Sequence, residues 1–432
     1  MDADYVLKQD HLREEIHVAN FDGMPVFVMP KGGFRRKYAE IIINYGSNDN
    51  AFILPDENTR VEVPPGIAHF LEHKMFEKQW GDAFSAFAEI GASANAYTGN
   101  NHTSYVFWTL DNFDKALKIL FEVVFEPYFT EQTVEKEQGI IAQEIRMYDD
   151  QPSARLLRET LQALYWHHPV RLDIAGTEES IRKITKELLY LCHTNFYRPS
   201  NASLFVAGDF DPREIFDVVA DLVSNFTLPR GAAPKRLRPE EPEGVRGDAE
   251  VFLPVPTPLV QVGWKDVPAK GSGEALVRQE IATSVLLDVI FGKSSPFFTR
   301  VYEKGLVDDI NYSYEAWPDY AFALLGAESP EPERLCDLVH EEIQRLLSEG
   351  IGRPDFERIK KAALGRYVSL FDAFDLIGET QAHLYQVGLD VFSYGEILKG
   401  LSMEEVSSRL KALDPNHSVR VIVKNPNAKK AR

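Results

Sequence analysis

His69, Glu72 and His73, within the run IAHFLEHKMF at 67–76, stand at i, i+3 and i+4. On an α-helix that spacing brings all three side chains to one face. Two neutral imidazoles one turn apart can hold a single Zn²⁺, and a carboxylate between them can take the proton of an attacking water. The order H-x-x-E-H inverts the commoner H-E-x-x-H arrangement of zinc hydrolases. Ile67, Phe70, Leu71 and Met75 make the rest of the helix apolar, so its polar face points inward. A lone histidine on such a helix is usually a satisfied core residue. A pair at ligand spacing around an acid is costly to bury without a metal.

A catalytic zinc shell commonly has three protein ligands and one open position. The third is sought in EQTVEKEQGIIAQEIRMY at 131–148, where Glu137, Ile141, Glu144 and Tyr148 fall on one helical stripe. Two carboxylates therefore point where Ile141 points. Glu144 is assigned as the ligand and Glu137 as its supporting acid, while Glu131 and Glu135 lie off the stripe as solvated charge. His102 in NNHTSY reads as a surface or wall residue, and His167-His168-Pro169 as loop, with no acid at ligand spacing.

These residues need elements to hold them. Pro64-Pro65-Gly66 reads as the entry to the first helix. Strand text precedes it (MPVFVMP, AEIIINYGS) and follows it (SANAYTG, TSYVFWTL). Helical periodicity then covers Asn112–Phe125, Glu131–Met147 and Ser180–Phe196, and ASLFVAGDF closes the first half as a strand. The second half repeats that order. AEVFLPVP and PLVQVGW are strands, Gln279–Phe291 and Pro296–Lys304 helices, NYSYEAW and YAFALLGAE strands. Pro332–Ser348 and Pro354–Ser369 are helices, and SVRVIVK is the closing strand. The expected class is α+β: two similar halves, each a mainly antiparallel sheet with helices on one face. Between them LPRGAAPKRLRPEEPEGVRGD, rich in proline, glycine and charge, reads as a linker. The expected domains are 1–227, a linker at 228–248, and 249–432.

Composition narrows the classes further. The 432 residues are 44% hydrophobic, ample for cores, and 47 Lys+Arg against 66 Asp+Glu give a net charge of −19. Such a surface repels phosphate backbones and acidic membranes, so a nucleic-acid partner is not expected. Two cysteines make no disulfide framework and fit a reducing, cytoplasmic setting. MDADYVLKQD lacks the basic and apolar regions of a signal peptide, and no apolar run approaches a membrane span.

HFLEH, followed by an acidic helix whose Glu144 lies 71 positions after His73, resembles the pitrilysin/insulinase family of zinc peptidases, which includes insulin-degrading enzyme and the mitochondrial processing peptidase. GASANAYTGNNHTSY, EKEQGIIAQEIRMYDDQP, HPVRLDIAGTEESIRKI, NFYRPSNASLFVAGDFDP and FGKSSPFFTRVYEKGL resemble further landmarks of that family. HKMFEKQW with MYDDQP resembles its bacterial cytoplasmic branch. The resemblance implies two halves facing each other like a clam-shell and one Zn²⁺ per chain held by His69, His73 and Glu144. It implies Glu72 as general base and Glu137 as supporting acid. Asn95 and Ala96 would lie on an edge strand that takes an extended peptide by strand addition.

One departure stands out. The family commonly carries an Arg and a Tyr, seven apart, around the Gly-Leu after its Ser-Ser element, and here those places hold Val301 or Tyr302 and Asp308. The expected activity is a zinc endopeptidase acting on peptides or unstructured segments. A related partner chain would supply the Arg/Tyr pair, or the chain would form a homodimer. The rival expectation is a non-catalytic or partner-dependent subunit of a heterodimeric processing peptidase.

Overall fold

Along Lys37–Ile43 the side chains alternate between two environments: Ala39, Ile41 and Ile43 join the main core, whereas Tyr38 and Glu40 turn to the opposite face. In the computed structural model, which describes residues 1–55 and 59–426, this strand sits inside a seven-stranded sheet. Its order is Tyr5–Gln9, Glu14–Phe21, Met24–Pro30, Ala202–Gly208, Lys37–Ile43, Thr103–Thr109 and Ser93–Thr98. Every neighbouring pair is antiparallel except Ala202–Gly208 with Met24–Pro30. Helices Ile67–Met75, Phe113–Phe125, Glu131–Asp149, Lys186–Phe196 and Pro212–Asn225 bury their apolar stripes in the core on one face. In Phe113–Phe125 that stripe is Ala116, Leu117, Leu120, Phe121 and Val124, all buried. Each large side chain of this kind contributes about 1.5–3 kcal/mol by leaving water.

A second sheet runs Ala249–Phe252, Ser418–Lys424, Leu259–Asp266, Tyr320–Glu328, Asn311–Trp317. Here too the closing strand makes the one parallel pairing, with Ala249–Phe252, and lies antiparallel to Leu259–Asp266 on its other side. The fold is therefore mixed α and β in two similar halves, as their element order predicts.

The chain forms two compact units, each drawn from three stretches: 1–145, 173–238 and 370–386 in one, 146–172, 239–369 and 387–432 in the other. Two helices thereby join the unit built mostly from the other half of the chain. In the first unit, Phe374–Gln386 covers the second face of the seven-stranded sheet, with Phe374 on Phe34 and Tyr385 on Phe27 at ring separations of 5.3 Å. Its Gly378 is there for contact: a Cβ would come within 2.7 Å of Glu40 Oε2. In the second unit, Pro152–Leu164 lies on the five-stranded sheet, where Leu156, Ala163 and Leu164 join a core with Phe322, Leu324, Val419 and Val421.

The charged stretch 228–248 is anchored along its length. In the first unit Lys235–Arg236 pairs with Ala51–Ile53, and Arg236 and Arg238 reach the buried Asp49 at 3.0 and 2.9 Å. In the second, Glu241 accepts from the backbone N–H groups of Trp166, His167 and His168 and from Lys265. Ser180–Phe196, one periodic segment in sequence, is broken into Glu178–Ile181 and Lys186–Phe196, because Thr185 caps a fresh helix by accepting from Leu188 N–H. No single described helix is long and apolar enough to cross a membrane.

Candidate active site

The helix carrying the two histidines runs Ile67–Met75 and starts where Gly66 takes a left-handed φ of 93°. Glycine is required there twice over, since a Cβ would also lie 2.5 Å from the Ala175 carbonyl oxygen. Ile67, Ala68, Phe70, Leu71 and Met75 are buried, which turns His69, Glu72 and His73 toward the acidic helix Glu131–Asp149. That helix is fixed by its own stripe: Val134, Ile141 and Ile145 are buried, bringing Glu137 and Glu144 to the same side. Glu131 and Glu135 are exposed, as their positions predict.

One potential donor atom from each of His69, His73 and Glu144 lies within 4.8 Å of the other two. His69 Nε2 is 3.8 Å from Glu144 Oε1, and His73 Nε2 is 3.6 Å from Glu144 Oε2. These are long for hydrogen bonds and near the ~3.4 Å that ligands on a tetrahedral zinc with ~2.0–2.1 Å bonds keep from one another. Two imidazole nitrogens and a carboxylate oxygen are also a donor set that zinc accepts, so the residues fit the ion. Among the described residues this is the one such cluster of three or more His, Cys, Asp or Glu. His102 lies outside it, its ring edge-on to Tyr97.

Electrostatics divide the two histidines. Burial beside His73 pulls His69 down to about 3, which leaves it neutral with a lone pair to give. Burial also pulls on His73. The hydrogen bond to Glu137 and the charges of Glu72, Glu137 and Glu144 outweigh it and hold His73 above its ordinary value. Glu137 Oε1 sits 3.1 Å from His73 Nδ1, the ring nitrogen that faces away from Glu144. Glu72 is raised by burial against the opposing effects of His73 and of a hydrogen bond from Thr98.

Thr98 is a neighbour of Glu72 that the motif alone does not point to. Its hydroxyl donates to Glu72 Oε2 at 2.9 Å. Strand alternation could have found it, since Thr98 shares a face with Ala94 and Ala96, which pack on the core. Ser93–Thr98 ends the sheet: one side pairs with Thr103–Thr109, and no described strand pairs with the other. Asn95 and Ala96 both lie on it but on opposite faces, Asn95 exposed and Ala96 half-buried. Only the backbone of this strand presents both residues to one partner.

In the second half, the hydroxyls of Tyr312 and Tyr314 are committed to Asp288 (2.8 Å) and Asp266 (2.6 Å). Arg300 is paired with buried Glu342, Val301 is buried, and Tyr302 and Asp308 are exposed.

Comparison with known proteins identifies the family of the chain. Residues 60–178 match the family described as insulinase (peptidase family M16), and residues 183–363 match the family described as the peptidase M16 inactive domain. The uncharacterized zinc protease YmfH of Bacillus subtilis (strain 168) is 38% identical over 405 residues, spanning 93% of this chain and 94% of the relative. The crystal structure of an M16-like peptidase from Alicyclobacillus acidocaldarius superposes with a TM-score of 0.93 at 35% identity, covering 97% of this chain and 99% of that one. Pitrilysin shares the fold with a TM-score of 0.76 at 15% identity, over 99% of this chain and 46% of its own. The chain belongs to the insulinase family, peptidase family M16.

Proposed function

We propose that this member of the insulinase family is a zinc-dependent endopeptidase that hydrolyses peptides or unstructured polypeptide segments. The observation that carries the reading is the convergence of His69, His73 and Glu144 from two helices, with Glu72 on the same helical face as both histidines. When bound, zinc supplies Lewis acidity, which polarises the scissile carbonyl and makes water a stronger acid. His69 and His73 would hold the ion through Nε2, and Glu144 through its carboxylate. Glu137 keeps His73 in the orientation that leaves Nε2 outward. Glu72 takes the proton from the attacking water and returns it to the leaving amine. Ser93–Thr98 receives the substrate backbone as an added strand.

Charge that develops on the carbonyl oxygen needs donors besides the ion. Among the described residues of the second half, Val301 is buried at the expected place, Asp308 is a carboxylate, and nearby Tyr312, Tyr314 and Arg300 are already engaged with carboxylates. The reading therefore includes a related partner chain that brings an Arg/Tyr pair, with a homodimer as the alternative assembly. We place it in a reducing, cytoplasmic setting on the strength of two buried free thiols, Cys192 and Cys336.

The test is zinc content together with cleavage of a mixed peptide library by the isolated chain and by the chain mixed with candidate partners, oligomeric state being read by light scattering. Zinc at one per chain with cleavage that rises on mixing is expected. A zinc-loaded chain that cleaves nothing alone or mixed would instead support the rival reading of a subunit without turnover.

A further inference from the structure

A general base works only if one carboxylate oxygen is aimed at the proton it removes, and an exposed glutamate samples many rotamers. Glu72 is largely buried, at 9% exposure, and among the described residues its hydrogen-bond partner is Thr98, whose hydroxyl meets Oε2 at 2.9 Å. Oε1 is left as the acceptor. Thr98 is itself held from three directions. Its strand pairs with Thr103–Thr109, with Thr98 opposite Thr103. The following turn closes through Gly99 N–H to His102 O (2.8 Å), and Ser47 N–H to Gly99 O (3.0 Å) ties that turn down. The preceding residue, Tyr97, donates on the other face of the strand to the buried Glu40 at 2.9 Å. Two consecutive hydroxyls thus fasten the end of one edge strand to two buried glutamates, one on each side of the sheet.

We infer that Thr98 is a positioning residue for Glu72, and that it couples the substrate-pairing edge strand to the orientation of the base. The inference rests on the peptidase reading above. A peptide added to Ser93–Thr98 would pair with the strand whose end carries the hydroxyl, so the element that receives the substrate also holds the base. A base misplaced by about 1 Å can cost roughly 100-fold in rate. Removing the hydroxyl is therefore expected to act on kcat and to leave KM and zinc content near their original values.

The experiment compares Thr98→Val, which keeps the shape and loses the hydroxyl, with Thr98→Ser, which keeps the hydroxyl. Thr98→Val should lower kcat by about 10–100-fold, and Thr98→Ser should return it to within a few-fold. Equal loss in both variants, or a loss confined to KM, would overturn the assignment. Crystal structures of the wild-type, Val and Ser chains give an arm that needs no turnover. Glu72 should hold one rotamer in wild type and Ser and leave it in Val; an unmoved, ordered Glu72 in the Val variant would overturn the inference. A wild-type chain inactive under all conditions would count against the peptidase reading, while the crystallographic arm still decides the role of Thr98.

Discussion

Glu137 Oε1 lies 3.1 Å from His73 Nδ1, so one acid fixes the ring whose other nitrogen faces Glu144. Substituting Glu137 by Gln keeps an acceptor but removes the charge, and zinc affinity is expected to fall by about 10–100-fold. A chelator-competition titration measures it. Glu144→Gln should lose more; equal losses would mean that the two acids share ligand duty.

His73→Ala removes one of three donors and also leaves Glu137 without its partner. Most of the metal should be lost on dialysis, as read by elemental analysis. Full zinc retention by this variant would displace the proposed site.

Glu72→Gln leaves the three donor groups in place. Zinc content should match that of wild type, while peptide turnover falls by about 10²–10⁴-fold, the usual contribution of a positioned acid–base group. Unchanged turnover would assign proton transfer to another residue.

Glu40 sits on an interior strand of the seven-stranded sheet, fully buried, accepting from Tyr38 and Tyr97 at 2.9 Å each. Burial raises its carboxyl to about 7 against those hydroxyl donors, and Glu379 on the covering helix pushes the same way. The folded state then favours the protonated form. Below the ordinary carboxylate value there is no penalty; between there and about pH 7 stability falls as pH rises, and above that the full penalty, on the order of 3 kcal/mol, is present. Glu40→Gln should accordingly be close to wild type at pH 5 and clearly more stable at pH 8 by chemical denaturation. A difference that does not change with pH would remove Glu40 as the source.

Gly66→Ala would place a side chain at φ 93° and against the Ala175 carbonyl. A loss of about 1–3 kcal/mol for the backbone conformation alone is expected, with zinc binding weakened because the helix start must shift. Thermal unfolding with and without zinc reads both; an unchanged midpoint would show that the entry can relax.

What sequence conveys well here is periodicity with a consequence. The stripe Glu137–Ile141–Glu144 was readable because Ile141 is buried and the acids flank it at helical spacing. The helix read as Glu131–Met147 ends at Asp149, and the one at 67–76 ends at Met75. The break inside Ser180–Phe196 depends on a capping hydroxyl at Thr185, a local hydrogen bond that competes with continuing the turn. Glu40 was not readable. Within AEIIINY it alternates like a solvent-facing residue, and what buries it arrives more than 330 positions later in the sequence. Pro152–Leu164 and Phe374–Gln386 are amphipathic helices that any apolar sheet face would satisfy, so their lodging places come from tertiary structure alone.

Those two helices have a consequence for how the chain can be divided. Residues 1–227 expressed alone would carry Pro152–Leu164 with no sheet to cover. They would also leave Phe27, Tyr38 and Phe205 bare where Phe374–Gln386 belongs. Each half lends one helix to the unit built mostly from the other. A chain nicked within 228–248 should thus behave as two fragments that complement each other, and neither fragment should persist soluble without its counterpart.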